Sequence, residues 1–433
     1  YFVLYALLHT FLIKNFPEKY FYFCIPFLWT GIEYLRSLGV LGFPWSSLAY
    51  SQSYYLSLIQ YVDYTSLFGV SFWIVWLNVI IFLLIKNADN FRKVVVYLIV
   101  LILLLLLPYI YGKTVVPSSN KSAKEKIRVG LVQGNVDPNE KWDDSFRMEN
   151  LKIYQSLTYQ MRRDSLDLIV WPETATPVYL RDSDVYRQAI YEIVDSLRVP
   201  LITGTPDYQF LPDHSYKTYN AVFSFLPGEK SFDVYRKLHL VPFSERVPFT
   251  ETFPFIADWL EKLEMGEGNF SPGDSIVSFK IPWKRLQKTD SLSERSFFLA
   301  PVVVCFESLF SDLVRKFVMN GADILLIITN DAWFGSTQAP FHHAQAAVFR
   351  AIENRIPIAR CANTGVSMFI DSYGHVTHET PIWVRTAISG ELVPRQETTF
   401  FSLHGHVITK IISFFNLLPF IFAIFTAIKR KRA

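Results

Sequence analysis

Cysteine is scarce in this chain: Cys24, Cys305 and Cys361 are the whole complement in 433 residues. Three thiols without paired short spacings make neither a zinc cluster nor a disulfide scaffold. Net charge is nearly absent too, at +3, which removes the basic footprint of a nucleic-acid binder. Charge of either sign is thin, 19% of residues against 51% hydrophobic, and mean hydropathy is positive at +0.21. Soluble domains average about 25% charged residues, so a chain this long and this apolar is not an ordinary soluble pair of domains. It also lacks internal repeats and low-complexity tracts.

What is present is a set of apolar runs around a mixed region. Four precede it, at Tyr1–Ile13, Phe21–Leu38, Leu67–Ile85 and Val94–Tyr111, and Val407–Ile428 follows it. Most suit a hydrocarbon core of about 30 Å. Val94–Leu107 has no charged residue and no polar face, unlike a soluble helix of that length. The first run is too short to span alone, and the chain opens on Tyr1 inside it; we expect a larger protein whose start lies further upstream. Basic residues set the orientation: Lys14 and Lys19, then Lys86, Arg92 and Lys93, then Lys429–Arg432. Placing all three clusters in the cytoplasm gives a consistent zigzag. It puts the loop at 39–66 and the region from about Gly112 to Leu403 on the far side, the periplasm of a bacterium.

The expected organisation is therefore membrane helices over 1–112, a polar linker over 113–126, an α/β domain over 127–403, and a last membrane helix with a basic tail over 404–433. Within the α/β domain, strand-like runs occur at Ile127–Val132, Leu166–Trp171, Pro200–Gly204, Tyr219–Phe225, Phe297–Phe306, Ile324–Thr329 and Ile356–Cys361. Amphipathic helical patterns at Phe146–Arg163, Val185–Leu197 and Phe341–Asn354 alternate with them, which predicts sheets covered by helices. The glycines and proline of Gly266–Gly273 predict a mobile segment.

Three strand ends carry a reactive side chain. Glu173 follows Trp171-Pro172, where partial desolvation would raise a carboxylate toward a useful base. Lys237 stands in Tyr235-Arg236-Lys237-Leu238-His239, and Cys305 ends Pro301-Val302-Val303-Val304 with Glu307 two residues on. A nearby ammonium favours a thiolate, a carboxylate can take its proton, and the same ammonium can stabilise an oxyanion. Singly, each has a plainer reading: an inert core thiol, a loop-opening acid, a solvated lysine. The case rests on their joint pattern.

That pattern resembles the carbon–nitrogen hydrolase (nitrilase) superfamily over about Ile127–Pro394. The stretches Thr329-Asn330-Asp331-Ala332-Trp333-Phe334-Gly335 and Asn363-Thr364-Gly365 add to it. Within the superfamily it is similar to the membrane branch of apolipoprotein N-acyltransferases. Glu33-Tyr34-Leu35-Arg36, Gly42-Phe43-Pro44-Trp45 and Val241-Pro242-Phe243-Ser244-Glu245-Arg246-Val247-Pro248 carry that closer match, together with the flanking spans. The resemblance implies a nitrilase-like αββα sandwich with Glu173 as general base, Lys237 as stabiliser of oxyanion and thiolate, and Cys305 as nucleophile. It makes Glu245 and Glu307 further acids of the site and Trp142 and Trp333 aromatics near its lid loops. Phe306 departs from the family's frequent Tyr, which puts any role of that hydroxyl in doubt. The implied chemistry is ping-pong transfer of an acyl chain from a phospholipid, with phosphatidylethanolamine the expected donor, to the amine of a diacylglyceryl-cysteine lipoprotein. No cofactor or metal is expected, and the protein is expected to be a monomer of the bacterial inner membrane.

Other readings stay open at this point. One rival is a membrane-anchored amidase using the same triad; another is a non-catalytic membrane binding protein. Glu33 and Arg36 read as an intrahelical pair or snorkelling chains, or more sharply as lipid headgroup contacts. The adjacent His342 and His343 point in different directions on a helix and read as helix-surface or lid residues rather than metal ligands. Cys24 and Cys361 read as core, although a Cys305–Cys361 disulfide would defeat the catalytic reading.

Overall fold

Each of the apolar runs forms helix in the computed structural model, which describes residues 1–117, 125–249, 270–283 and 296–432. The helices are Phe2–Asn15, Glu18–Arg36, Leu67–Lys86 and Phe91–Val115, and the last run divides at Asn416 into Val407–Phe415 and Leu417–Arg432. Three stretches, Leu67–Lys86, Phe91–Val115 and Val407–Arg430, are long and apolar enough to cross a membrane. The second run, read above as a span, does not reach that apolarity, because Glu18, Lys19, Glu33 and Arg36 dilute it. Gly112–Val115 remain helical, so the expected linker begins inside a helix, and 118–124 lie outside the described residues.

Glu33 and Arg36 need correcting. Both are buried, and the Glu33 carboxylate accepts from Trp29 Nε1 at 3.0 Å, Ser47 Oγ at 2.8 Å and Leu48 N–H at 2.9 Å. A buried carboxylate needs donors; one comes from its own helix and two from Ser47 and Leu48, just past the Gly42–Trp45 segment. Glu33 thus ties the segment after Trp45 to its helix instead of pairing with Arg36.

These helices belong to one compact unit, Tyr1–Ser119 with Ile352–Asn354 and Thr398–Ala433; Asn120–Ala351 with Arg355–Glu397 form a second. The second unit holds two six-stranded sheets among its described residues. In chain order the strands are β1 (Ile127–Gln133), β2 (Leu168–Val170), β3 (Leu201–Phe210), β4 (Tyr216–Phe225), β5 (Phe232–Arg236), β6 (Ser278–Pro282), β7 (Phe297–Val304), β8 (Leu325–Thr329), β9 (Ile358–Ala362), β10 (Met368–Ile370), β11 (Val376–Thr377) and β12 (Thr386–Leu392). One sheet runs β12-β1-β2-β3-β4-β5 and the other β11-β10-β9-β8-β7-β6. At the centre of each lies a parallel trio, β1-β2-β3 and β7-β8-β9. β2, β8 and β9 are buried along their whole length, as parallel strands covered on both faces must be. Cys361 of β9 meets the carbonyls of Val132 at 3.4 Å and Val170 at 3.3 Å, so the sheets face each other across its thiol. Helices Asp144–Gln160 and Asp184–Leu197 cover the outer face of the first sheet through Leu151, Tyr154, Leu157, Ile190, Ile193 and Val194. This is the αββα sandwich.

The expected Phe297–Phe306 strand ends earlier. β7 stops at Val304, and Cys305–Leu309 coil into a tight 3-10 turn that Cys305 enters at φ +52°. The expected mobile stretch Gly266–Gly273 falls partly outside the described residues, at 266–269. Its described end is tied down: Phe270 N–H donates to the Glu245 carbonyl at 3.0 Å and Gly273 N–H to the Lys237 carbonyl at 2.8 Å.

Candidate active site

The site is assembled where strands end. Glu173 lies three residues beyond β2, and a Cβ on Gly204 of neighbouring β3 would stand 2.7 Å from its Cα, so only glycine lets β3 run past this turn. Lys237 directly follows β5, its N–H still bonded to the Asn220 carbonyl of β4 at 2.9 Å. Cys305 directly follows β7. Parallel sheets offer such a cluster at the carboxyl ends of their strands.

The Lys237 ammonium is 1% exposed, 2.9 Å from Glu245 Oε1 and 3.5 Å from Glu173 Oε1. Asn220 Nδ2 bridges the same two carboxylates, at 2.7 Å to Glu173 and 2.8 Å to Glu245. The other oxygens take main-chain donors: Asn330 N–H to Glu173 at 2.9 Å and Val241 N–H to Glu245 at 2.8 Å. Burial opposes the charge on Lys237, but Glu245 and then Glu173 raise its pKa above the ordinary lysine value. Burial also opposes ionisation of Glu245, yet Lys237, Val241 N–H and Asn220 carry its pKa below the ordinary glutamate value. The pair is held ionised.

Burial and then the Glu173 charge push the Cys305 thiol up, and Lys237 opposes them. In this setting the thiol is favoured over the thiolate. The disulfide alternative is absent: Cys24, Cys305 and Cys361 are all free.

Glu307 is fully buried, and both of its oxygens are taken by donors. Its Oε1 accepts from Tyr235 Oη at 2.7 Å, Leu238 N–H at 2.8 Å and His239 N–H at 3.0 Å, and its Oε2 from Val304 N–H at 2.7 Å. It brackets the Lys237 loop to the nucleophile turn. Phe306 is buried beside it, its ring centroid 5.1 Å from that of Phe310 and 5.9 Å from His239. The His239 ring is pushed down to about 4 by burial and then by Lys237, and so stays neutral. Trp142 and Trp333 are 43% and 63% exposed. The first adjoins Lys141 in sequence, and the second lies in the Asp331–Phe334 turn just after Asn330. Among the described residues no group of three or more His, Cys, Asp or Glu could hold a metal ion.

Asn220, Asn330 and Lys141 were not foreseen. Lys141 is 3% exposed, with its Nζ 3.5 Å from the Thr174 carbonyl. Burial pushes it down to about 8, with Glu173 opposing. A folded pKa below the ordinary lysine value of 10.5 means the charged form destabilises the fold. That penalty, about 3 kcal/mol, is fully present below pH ~8 and fades as pH rises toward 10.5. Lys141→Met, similar in length and uncharged, is expected to raise the melting temperature at pH 7 by several degrees, a gain that shrinks above pH ~10. A lower melting temperature at pH 7 would count against a strained ammonium.

His343 also differs from expectation. His342 is exposed, but His343 is buried, its Nδ1 2.8 Å from Asp331 Oδ1 and its Nε2 3.2 Å from the Cys305 carbonyl. It lies on the same helix stripe as Ala347, Arg350 and Ala351, all buried, and that periodicity is the signal in the sequence.

Two facing sheets with Glu, Lys and Cys gathered at their strand ends make a carbon–nitrogen hydrolase domain, and residues 128–398 match the Carbon-nitrogen hydrolase family model. Residues 1–80 match the Apolipoprotein N-acyltransferase N-terminal domain. The chain is 36% identical over 416 residues to the apolipoprotein N-acyltransferase of Geobacter metallireducens, covering 94% of this chain and 75% of that one. To the same-named protein of Chlorobaculum tepidum it is 34% identical over 407 residues, with coverages of 89% and 74%. The chain belongs to the apolipoprotein N-acyltransferase family. Among solved structures it is similar to Saccharomyces cerevisiae Nit3, at 19% identity and TM-score 0.46 over 67% of this chain and 97% of that one. A Nesterenkonia amidase is 16% identical at TM-score 0.46, over 68% and 99%.

Proposed function

We propose that this chain moves an acyl chain from a phospholipid to the N-terminal amine of a diacylglyceryl-cysteine lipoprotein, through a thioester on Cys305. The observation that carries this reading is the buried Glu173–Lys237–Glu245 network around a free thiol, in a chain of this family. In the first half-reaction the Cys305 proton passes to Glu173 as sulfur attacks the ester carbonyl, and Lys237 stabilises the oxyanion. The carbon–oxygen bond breaks, and Glu173 returns the proton to the departing lysophospholipid hydroxyl. In the second, the lipoprotein amine attacks the thioester carbonyl, the carbon–sulfur bond breaks as the amide forms, and the amine proton passes by way of Glu173 to the departing Cys305 sulfur. Glu245 keeps Lys237 charged and fixed throughout, and Trp142 and Trp333 flank substrate at the mouth.

Phosphatidylethanolamine is the donor we favour, and a monomer in the bacterial inner membrane the state. Lys86, Arg92 and Lys93 between two apolar helices, and the basic tail after the last, support a catalytic domain on the periplasmic side.

Intact-protein mass spectrometry after incubation with phosphatidylethanolamine vesicles and no acceptor tests this reading. An acyl-sized gain is expected on wild type, absent from Cys305→Ala, and discharged onto a diacylglyceryl lipopeptide. No adduct on folded protein, with turnover of small amides instead, would replace this reading with the amidase.

A further inference from the structure

The carbonyl of Cys305 is held as firmly as its side chain is placed. Ser308 Oγ donates to it at 2.7 Å, and His343 Nε2 lies 3.2 Å from it and 3.1 Å from Ser308 Oγ. The other ring nitrogen, Nδ1, lies 2.8 Å from Asp331 Oδ1 and 3.2 Å from Arg360 Nη2; for the ring to hold both ends, Nδ1–H donates to Asp331 and Nε2–H to the Cys305 carbonyl, so both nitrogens carry a proton. Asp331 Oδ1 also accepts from Thr329 Oγ1 at 3.0 Å. Asp331 Oδ2 pairs with Arg360 Nη2 at 2.9 Å. All of these side chains are buried. Burial opposes the charge on Asp331, yet Arg360 and then His343 hold its carboxyl well below the usual carboxylate range. Gly365 makes the room, since a Cβ there would come within 2.2 Å of Asp331 Oδ2.

A peptide unit is planar, with C=O and N–H pointing opposite ways. Whatever fixes the Cys305 carbonyl therefore aims the N–H of Phe306. That N–H is the main-chain donor next to the sulfur, where charge develops during attack. The alignment needs holding, because Cys305 sits at φ +52°, a left-handed conformation that strains a non-glycine residue. Relaxation of that strain would swing the peptide plane.

We propose that His343, aligned by Asp331, is a positioning residue that aims the Phe306 N–H at the oxyanion formed on Cys305 attack, with Ser308 as its partner. This rests on the acyl-transfer reading above and deepens it. His343 touches no substrate and moves no proton in either half-reaction; it acts through the peptide plane. Lys237 meets the oxyanion as a side-chain cation, and the two contributions are separable.

The test compares His343→Leu, which removes the ring nitrogens, with His343→Gln, which keeps a hydrogen-bonding end. Thioester formation is followed with phosphatidylethanolamine vesicles and with a p-nitrophenyl acyl ester. Alkylation of Cys305 by iodoacetamide, which forms no oxyanion, is the control. His343→Leu is expected to lower kcat for acylation about 100-fold, with KM, alkylation rate and melting temperature near wild type. His343→Gln should recover at least about tenfold of that loss. Acylation within about threefold of wild type would overturn the proposal, and so would acylation and alkylation falling together. If His343→Leu does not fold, Ser308→Ala reads the same plane, with about a tenfold expected loss of kcat and unchanged alkylation. Wild type that reacts with the activated ester but not with phospholipid would overturn the acyl-transfer reading and leave the His343 comparison standing.

Discussion

Glu173→Gln is expected to slow acylation of Cys305 about a thousandfold while the protein stays folded. The size follows from the resting state of the nucleophile. Burial and Glu173 itself hold the Cys305 thiol protonated, so attack cannot begin from a standing thiolate, and Glu173 is the carboxylate that both contacts Lys237 and acts on the thiol. Every group around Glu173 is a donor: Asn220 Nδ2, Asn330 N–H and the Lys237 ammonium. Gln fills the same space but turns an NH₂ toward one of them, a local loss of about 1–3 kcal/mol. The pH behaviour separates this from simple damage. Removing the Glu173 charge removes one of the three causes that raise the thiol, after burial and beside Asp331, so Cys305 should titrate at lower pH in the variant even as turnover collapses. Iodoacetamide alkylation against pH measures the first effect and thioester formation the second. Retained acylation within tenfold of wild type, or a thiol titrating at higher pH, would remove Glu173 from its role.

That pairing of effects shows what was legible in the sequence and what was not. β2, β7 and β8 announced themselves because strands buried on both faces must be continuous apolar runs, and the residues at or just past their ends drew attention by contrast. β5, β6 and β12 were missed because partly exposed edge and near-edge strands such as Phe-Asp-Val-Tyr-Arg carry mixed patterns. β10 and β11 are only three and two residues long. Glu173, Lys237 and Cys305 were singled out by their place at strand ends and by resemblance, but their electrostatics could not be. Asn330 follows the end of β8, where a turn needs a polar residue anyway, and Asn220 is a single polar residue inside β4 that alternation does not distinguish from a solvent-facing one. Lys141, beside acidic Glu140, has the look of a solvated lysine, and only the fold buries it under Trp142 and near Glu173. The raised thiol is likewise a property of three dimensions, because burial, its largest cause, can be read only from the fold.

Glu307 puts that competition on the scale of the whole domain. Replacing it with Ala is expected to destabilise the catalytic unit by about 3–5 kcal/mol and to abolish acylation. Four donors lose their acceptor at once: Tyr235 Oη and the N–H groups of Val304, Leu238 and His239. All come from the two segments that carry Lys237 and Cys305, so the orphaned bonds lie between those two side chains. Burial holds the Glu307 pKa up and Lys237 works against it, which makes an ionised Glu307 without its donors worse still. Glu307→Gln keeps one oxygen and should be milder, folding with a melting temperature a few degrees below wild type and a slowed acylation rate. For a domain of this size the Ala variant should melt about 10 °C lower, followed by intrinsic fluorescence in detergent. If Glu307 worked instead as a proton carrier, Ala would stop acylation and leave melting within about 2 °C of wild type. The bracket predicts that stability and activity fall together, with Gln between Ala and wild type in both.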